Sequence, residues 1–270
     1  MERKYLNIHL EGMDDNGEKL KRILDENIPC AISIAPETLR KNGIYSKQYP
    51  YLLKHIDLIA KIVNQPGNIL GQQGNIHKCK YKHRIVDSWH ENFCLWNKPL
   101  EIYEQAEIMQ KGRETLVKLL GKKPEMYLPP NHQCDFRTLD VACKEEYPFF
   151  AIRGLKVLDP LLYKISVFHP NNLLVIPEVK LGQQGSFFYT HYDKIEKNQE
   201  DFEKLIKNVR SFQNVGVDFS MQKAYFFSTR VGPIVDSIRL NRDYDVIEKN
   251  MKATNRKKLL RDITKFPKIT

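Results

Sequence analysis

The residue types able to do acid–base or metal chemistry are concentrated in one part of this chain. It has eight histidines and five cysteines, of which His77, His83, His90, His132, Cys79, Cys94 and Cys134 fall between positions 77 and 134, with Asp87 and Glu91 among them. Imidazole, thiolate and carboxylate are the donors zinc takes, three from protein in a catalytic site and four in a structural one. Spacing alone selects no set, because there is neither a CxxC pair nor an HExxH; "WHEN" at 89–92 lacks a second histidine four residues on. Two arrangements stay open. A structural zinc could use His77, Cys79, His83 and Cys94, or one or two of these residues could join Glu11 or a nearby aspartate in an open catalytic site. His83, between Lys82 and Arg84, reads as an ordinary loop residue, whereas His77 and His90 read as site residues. The stretch from Gly74 to Lys98 has no helical or strand period, and loops of that length inside a domain usually carry function.

The elements that must position these groups alternate in type. Strand patterns are read at 4–12, 28–36, 67–73, 125–130, 149–154, 172–179 and 185–192, and helical patterns at 16–27, 49–65, 99–124, 135–147 and 195–213. Asp14, Asp15 or Asn16 is available to cap the first helix, and Gly121 and Pro124 stop the third. Repeated strand–helix–strand order predicts a mainly parallel sheet covered by helices, open or closed into a barrel. In either form ligands gather at the C-terminal ends of the strands. Glu11 with Asp14 and Asp15, Gln73 with His77, Asn131 with His132, and His191 each follow a strand, so these four groups are expected to converge.

Bulk composition narrows the classes. The 270 residues are 41% hydrophobic, with 13 glycines and 14 prolines, an ordinary globular composition. No apolar run reaches the roughly 18 residues of a membrane span, and the start, "MERKYLNIHLEG", has no apolar core of a secretory signal. The five cysteines read as reduced thiols, so a cytoplasmic location is expected. The net charge of +10 is concentrated towards the end, in "EKNMKATNRKKLLRDITKFPK", and reads first as a solvated helix face. Without interleaved aromatics it argues against nucleic-acid binding. A principal domain over 1–215 and a basic extension over 216–270 are expected; oligomeric state is not legible.

The order of these segments resembles that of the polysaccharide deacetylases, over roughly residues 4–195. "HLEG" (9–12) resembles their first motif, "GQQGNIH" (71–77) the second, "LPPNH" (128–132) the third and "FFYTH" (187–191) the last. The stretch "EQAEIMQKGRETLVKLLGKKPEMYLPPNH" (104–132) looks like a divergent prokaryotic branch carrying GQQG…H, WHEN and PPNH. The resemblance implies an α/β fold, a distorted (β/α) barrel, and metal-dependent removal of an acetyl group from an N- or O-acetylated sugar. It implies a divalent metal, zinc by donor type, held by His77 with His90 and Glu11. It also implies His191 as the acid, by its match to the last motif; Asp14 or Glu91 is the candidate base in place of the aspartate missing at Leu10. Asn131 and Pro130 would face substrate, and Trp89 could stack on a sugar ring. The chain departs from the pattern at Gln73, where a metal histidine is expected, and at Leu10, where the base aspartate is expected. Those departures leave two readings: Asp14, Asp15, His90 or Glu91 takes over the missing roles, or the chain is a catalytically inactive carbohydrate-binding or regulatory barrel with a structural zinc in the 74–98 loop.

Overall fold

The computed structural model describes residues 5–10, 17–39, 50–76, 91, 100–132, 134, 136–153, 161–163, 173–180 and 187–212. The basic extension, 216–270, lies outside these residues. The described residues form eight strands: β1 (Tyr5–Leu10), β2 (Cys30–Ile34), β3 (Ile69–Gln73), β4 (Met126–Leu128), β5 (Phe149–Arg153), β6 (Leu161–Tyr163), β7 (Leu173–Lys180) and β8 (Phe187–His191). The helices are α1 (Glu18–Asp25), α2 (Pro50–Lys54), α3 (Ile56–Val63), α4 (Ile102–Leu120), α5 (Phe136–Lys144), α6 (Tyr192–Lys197) and α7 (Gln199–Phe212), with short 3₁₀ turns at Pro36–Leu39 and Pro130–His132.

Seven strands run parallel in the order β5–β4–β3–β2–β1–β8–β7, and β7 pairs back to β5, closing the sheet. The closed parallel barrel fits the fold class expected. The sequence pattern missed β6, which lies antiparallel on β7 and is too short at three residues to show a period. Two expected helices are broken: 49–65 at His55 and 195–213 at Asn198. The cap of α1 is Gly17 at φ 72°, with no side-chain hydrogen bond, in place of the acidic or amide side chains before it. By contrast α4 begins with a capping box, Glu101 and Glu104 each accepting the other's backbone N–H. It ends on Gly121 in the left-handed conformation, where a side chain would be disfavoured.

Strand side chains alternate between the barrel interior and the helix layer. Leu6, Ile8 and Leu10 of β1, with Ile32, Leu70 and Phe188, pack outward against Leu20, Ile59, Leu116 and Phe202 of the helices. Tyr127, Phe150 and Val175 do the same against Met109, Leu139 and Ala142. The inward set has two layers. Ala31, Ile69, Met126, Leu128, Ala151, Ile176 and Phe187 form an apolar plug. The inward residues further along the strands are polar: Asn7, His9, Ser33, Gln73, Arg153, Glu178, Tyr189 and His191. Strands buried on both faces are expected to be apolar throughout, so this polar layer is the feature of the fold that calls for a chemical explanation.

Candidate functional site

Register brings the polar layer together. His9 of β1 lies opposite Ser33 of β2 on one side and His191 of β8 on the other. Asn7 pairs with Tyr189 in the same ladder, and Arg153 of β5 with Glu178 of β7. All seven barrel strands are parallel, so these residues collect at the end where ligands of such barrels bind.

Asn7 is the hub beneath the site. Its Nδ2 donates to Glu178 Oε1 at 2.6 Å, and its Oδ1 accepts from Ser33 Oγ at 2.8 Å. Asn7, Ser33 and His9 are fully buried, and Glu178 is 3% exposed. His9 Nε2 lies 3.3 Å from Glu178 Oε1 and 3.1 Å from Asn7 Nδ2. A proton on Nε2 directed at the carboxylate leaves Nδ1 with its lone pair, and Nδ1 has no hydrogen-bond partner among the described residues. In that tautomer the carboxylate orients the ring. A buried carboxylate is costly unless it is paired; the Asn7 amide and the His9 imidazole lie against Oε1, while Oε2 has no hydrogen-bond partner among the described residues.

The second histidine comes from the turn after β4. His132 closes the Pro130–His132 turn at φ 53°, a backbone region in which histidine is enriched among non-glycine residues. Its N–H donates to Pro129 O at 2.8 Å, which holds the turn. The backbone N–H of Arg153 donates to His132 Nδ1 at 3.2 Å, so the neutral ring carries its proton on Nε2. Glu178 Oε2 stands 3.7 Å from the same Nδ1. The third histidine, His191, ends β8, with its ring edge-on to His9 at 5.1 Å between centroids. The Tyr189 ring stacks on His9 at 5.4 Å and lies 6.0 Å from His191. Three imidazoles, a carboxylate and a phenol thus share one buried end of the barrel.

The residues named from sequence divide into three groups. His191 and His132 are in the cluster. Pro130 lies in the same turn as His132, and Glu91 sits against the backbone after β3. Glu91 is 4% exposed, and its carboxylate accepts Asn75 N at 2.7 Å and Ile76 N at 3.1 Å, tying down the backbone after β3. Gly74 permits that approach. A Cβ there would lie 2.2 Å from Glu91 Oε2 and 2.4 Å from Pro130 Cγ, and its φ is +59°. Asn131 belongs to the same turn, but its side chain lies outside the described residues. Glu11, Asp14, His77, Trp89 and His90 also lie outside them.

Leu10, matched to a base, is fully buried in the helix-facing core. The inward residue beside it is His9. The paired glutamines face opposite ways. Gln72 Nε2 donates to Gly74 O at 2.9 Å and Met109 O at 3.0 Å, and its Oε1 accepts from Tyr147 OH at 2.6 Å, pinning β3 to α4. Gln73 is buried at the strand end.

Asn7, His9, Ser33, Glu178, Arg153 and Tyr189 were missed by motif matching. The signal for the first two was present in "YLNIHL": polar side chains at alternate positions of an otherwise apolar strand, which places both on one face. Among the described residues no group of three or more histidine, cysteine, aspartate or glutamate side chains is arranged to hold a metal ion. The donors expected for zinc, His77, His90 and Glu11, all lie outside the described residues.

No protein-family model matches the chain, and no curated protein does. Solved structures similar to it are polysaccharide deacetylases at low identity. A peptidoglycan N-acetylglucosamine deacetylase is 13% identical over 77% of this chain and 82% of its own, with a TM-score of 0.47. A family 4 carbohydrate esterase from Bacillus anthracis is 15% identical over 78% and 76%, at 0.43. A CE4 family pseudoenzyme from Bacillus anthracis is 11% identical over 76% and 61%, at 0.42. The chain spans 59% of the length of a Mycobacterium smegmatis structure assigned to the polysaccharide deacetylases. These likenesses carry no residue-to-residue correspondence. No described helix is long and apolar enough to cross a membrane.

Proposed function

We propose that this chain is a hydrolase that removes an acetyl group from an acetylated carbohydrate. The observation that carries the reading is the convergence of His9 and His132 on Glu178, with His191 edge-on to His9, at the C-terminal end of the barrel. Deacetylation requires a proton taken from water, an oxyanion stabilised and a proton given to the leaving group. Neutral imidazoles serve both kinds of proton transfer near pH 7. In this scheme His191 protonates the leaving group, and the Nε2–H of His132 faces developing negative charge. His9, steadied by Glu178, accepts the proton of the attacking water. The sequence motifs supply the substrate class. Zinc is part of the proposal on donor chemistry alone: Glu11, His77 and His90 would hold it, and when bound it would polarise water and the acetyl carbonyl.

The test is acetate release from N-acetylglucosamine oligomers and O-acetylated xylan oligomers by the purified chain, with and without added zinc. Wild type should release acetate. His191→Ala should lose turnover with its circular dichroism and metal content unchanged, and His77→Ala should carry less zinc by mass spectrometry. No release from either substrate class by folded, zinc-supplemented protein would overturn the reading. A second reading, an inactive carbohydrate-binding or regulatory barrel, is favoured by Leu10 being locked in the helix-facing core and by glutamine at position 73. It predicts binding of the same oligomers without acetate release.

A further inference from the structure

Arg153 has no part in the acetyl-transfer chemistry above, yet it stands at the same end of the barrel. We propose that it forms a subsite for an anionic oxygen group, carboxylate or phosphate, on the sugar this chain binds. The proposal rests on the carbohydrate reading and narrows it to acidic sugars.

The placement follows from the strand. Arg153 is the last residue of β5, on the inward side, beside Glu178 in the ladder. Despite that neighbour it forms no ion pair with Glu178, whose Oε1 is engaged by Asn7 and lies near His9. The guanidinium turns instead to Tyr189. One nitrogen donates to the phenol oxygen at 2.7 Å, and the guanidinium carbon sits 4.6 Å from the ring centroid. The backbone N–H of the same residue is spent on His132. Hydrogen bond and ring contact hold the planar group in one orientation without neutralising it, and no described carboxylate pairs with it.

A guanidinium has five N–H donors in a planar fork that matches carboxylate and phosphate oxygens two at a time. A single phenol hydrogen bond leaves most of that capacity unused. The group is partly buried, which strengthens its attraction for an anion relative to an exposed lysine. Tyr189 also touches the catalytic end of the barrel, its ring stacking on His9 and lying 6.0 Å from His191. The same side chain that orients the guanidinium thus borders the reacting histidines. A sugar whose acetyl group reaches His191 would present its other substituents to Arg153, and a negatively charged substituent would be favoured over a hydroxyl.

The experiment is a calorimetric titration of the full chain with D-glucuronate, D-glucose 6-phosphate and D-glucose, repeated on Arg153→Met and Arg153→Lys. Wild type should bind one or both anionic sugars at least tenfold more tightly than glucose. The carboxylate and phosphate arms identify which group the fork takes. Arg153→Met should lose that preference, and Arg153→Lys should recover only part of it, since an ammonium keeps the charge and not the fork. Equal affinity for all three sugars, no binding of either anionic sugar by folded wild type, or an anion preference that survives Arg153→Met would each overturn the proposal.

A parallel acetate-release assay on N-acetylglucosamine and N-acetylmuramic acid separates this proposal from the functional reading. Anion binding through Arg153 without acetate release sinks the hydrolase and leaves the subsite. Acetate release with no preference for the acidic sugar does the reverse.

Discussion

The pinning of β3 to α4 can be tested at Gly112, where two effects of opposite sign compete. Glycine in a helix interior is disfavoured relative to alanine by about 1 kcal/mol, so Gly112→Ala viewed as a helix substitution should stabilise the protein. The structure argues otherwise. The new Cβ would lie 2.2 Å from Gln72 Nε2 and 2.9 Å from Gly74 O. The first contact is with a side-chain end, which normally could swing away. Here it is held by two donated bonds and, through Oε1, by the Tyr147 hydroxyl. Moving the amide disrupts all three, and at about 1 kcal/mol each for buried neutral hydrogen bonds the loss is about 3 kcal/mol. Set against the propensity gain, the net expectation is destabilisation by about 2 kcal/mol, or a fall in Tm of several degrees for a domain of this size. Urea unfolding followed by circular dichroism measures it. The double variant Gly112→Ala/Gln72→Ala should be less destabilised than the two single losses added together, because the alanine removes the obstructing amide. A Gly112→Ala protein as stable as wild type, or more so, would refute the claim that Gln72 is held in place.

Two further outcomes follow from buried groups. Glu91→Gln should cost about 2 kcal/mol of stability, the scale of hydrogen bonds to a charged acceptor, because the carboxylate accepts the Asn75 and Ile76 N–H groups. If the variant unfolds at the wild-type urea concentration yet loses all turnover, Glu91 acts in the chemistry and this structural role is wrong. Burial pushes the Cys30 thiol up to about 12. The folded state then holds its proton after the unfolded chain has released it near the ordinary value of 9.0. The sign is therefore a stability contribution fully present below pH 9 and lost as pH rises towards 12. Burial also raises the Tyr147 phenol, so both act in the alkaline limb. Cys30→Ala should flatten part of the fall in urea midpoint above pH 9, and native Cys30 should not react with an aromatic disulfide reagent at pH 8. An unchanged alkaline slope in the variant would contradict the assignment.

How much of this was legible in sequence differs between the scaffold and the site. All seven barrel strands were readable, because each is a short apolar run bounded by turn residues, and the α4 pattern with Gly121 behind it was equally plain. The short β6 was not, and neither were the breaks at His55 and Asn198, where the apolar period continues across a residue of non-helical backbone. At the site, His191 and His132 were visible as residues following strands. Motif matching drew attention to Glu11 and Leu10 at the end of β1, although β1 presents Asn7 and His9 to the interior. Leu10 has the parity of Leu6 and Ile8 and shares their fate in the outer core. Glu178 and Arg153 were hidden for a different reason. Their importance comes from facing β1 and β8 across a closed barrel, and no local pattern encodes that closure. The glutamine pair carried a readable motif but divided roles. Adjacent strand residues point to opposite faces, so Gln72 braces the helix layer and Gln73 faces the interior.

Closure through β1 also bears on how the chain folds as it is synthesised. β1 pairs with β2 on one edge and with β8 on the other, so Tyr5 must meet Phe187. At about 5–20 residues per second of synthesis, one edge of β1 stays open for about 10–40 s, long after β2, β3 and β4 have been made. That edge is flanked by Leu6, Ile8 and Leu10, and unpaired apolar strand edges invite intermolecular pairing. Asn7 and His9 interrupt the run at every second position. The alternation that builds the site therefore also limits how sticky the nascent strand is while it waits for its partner.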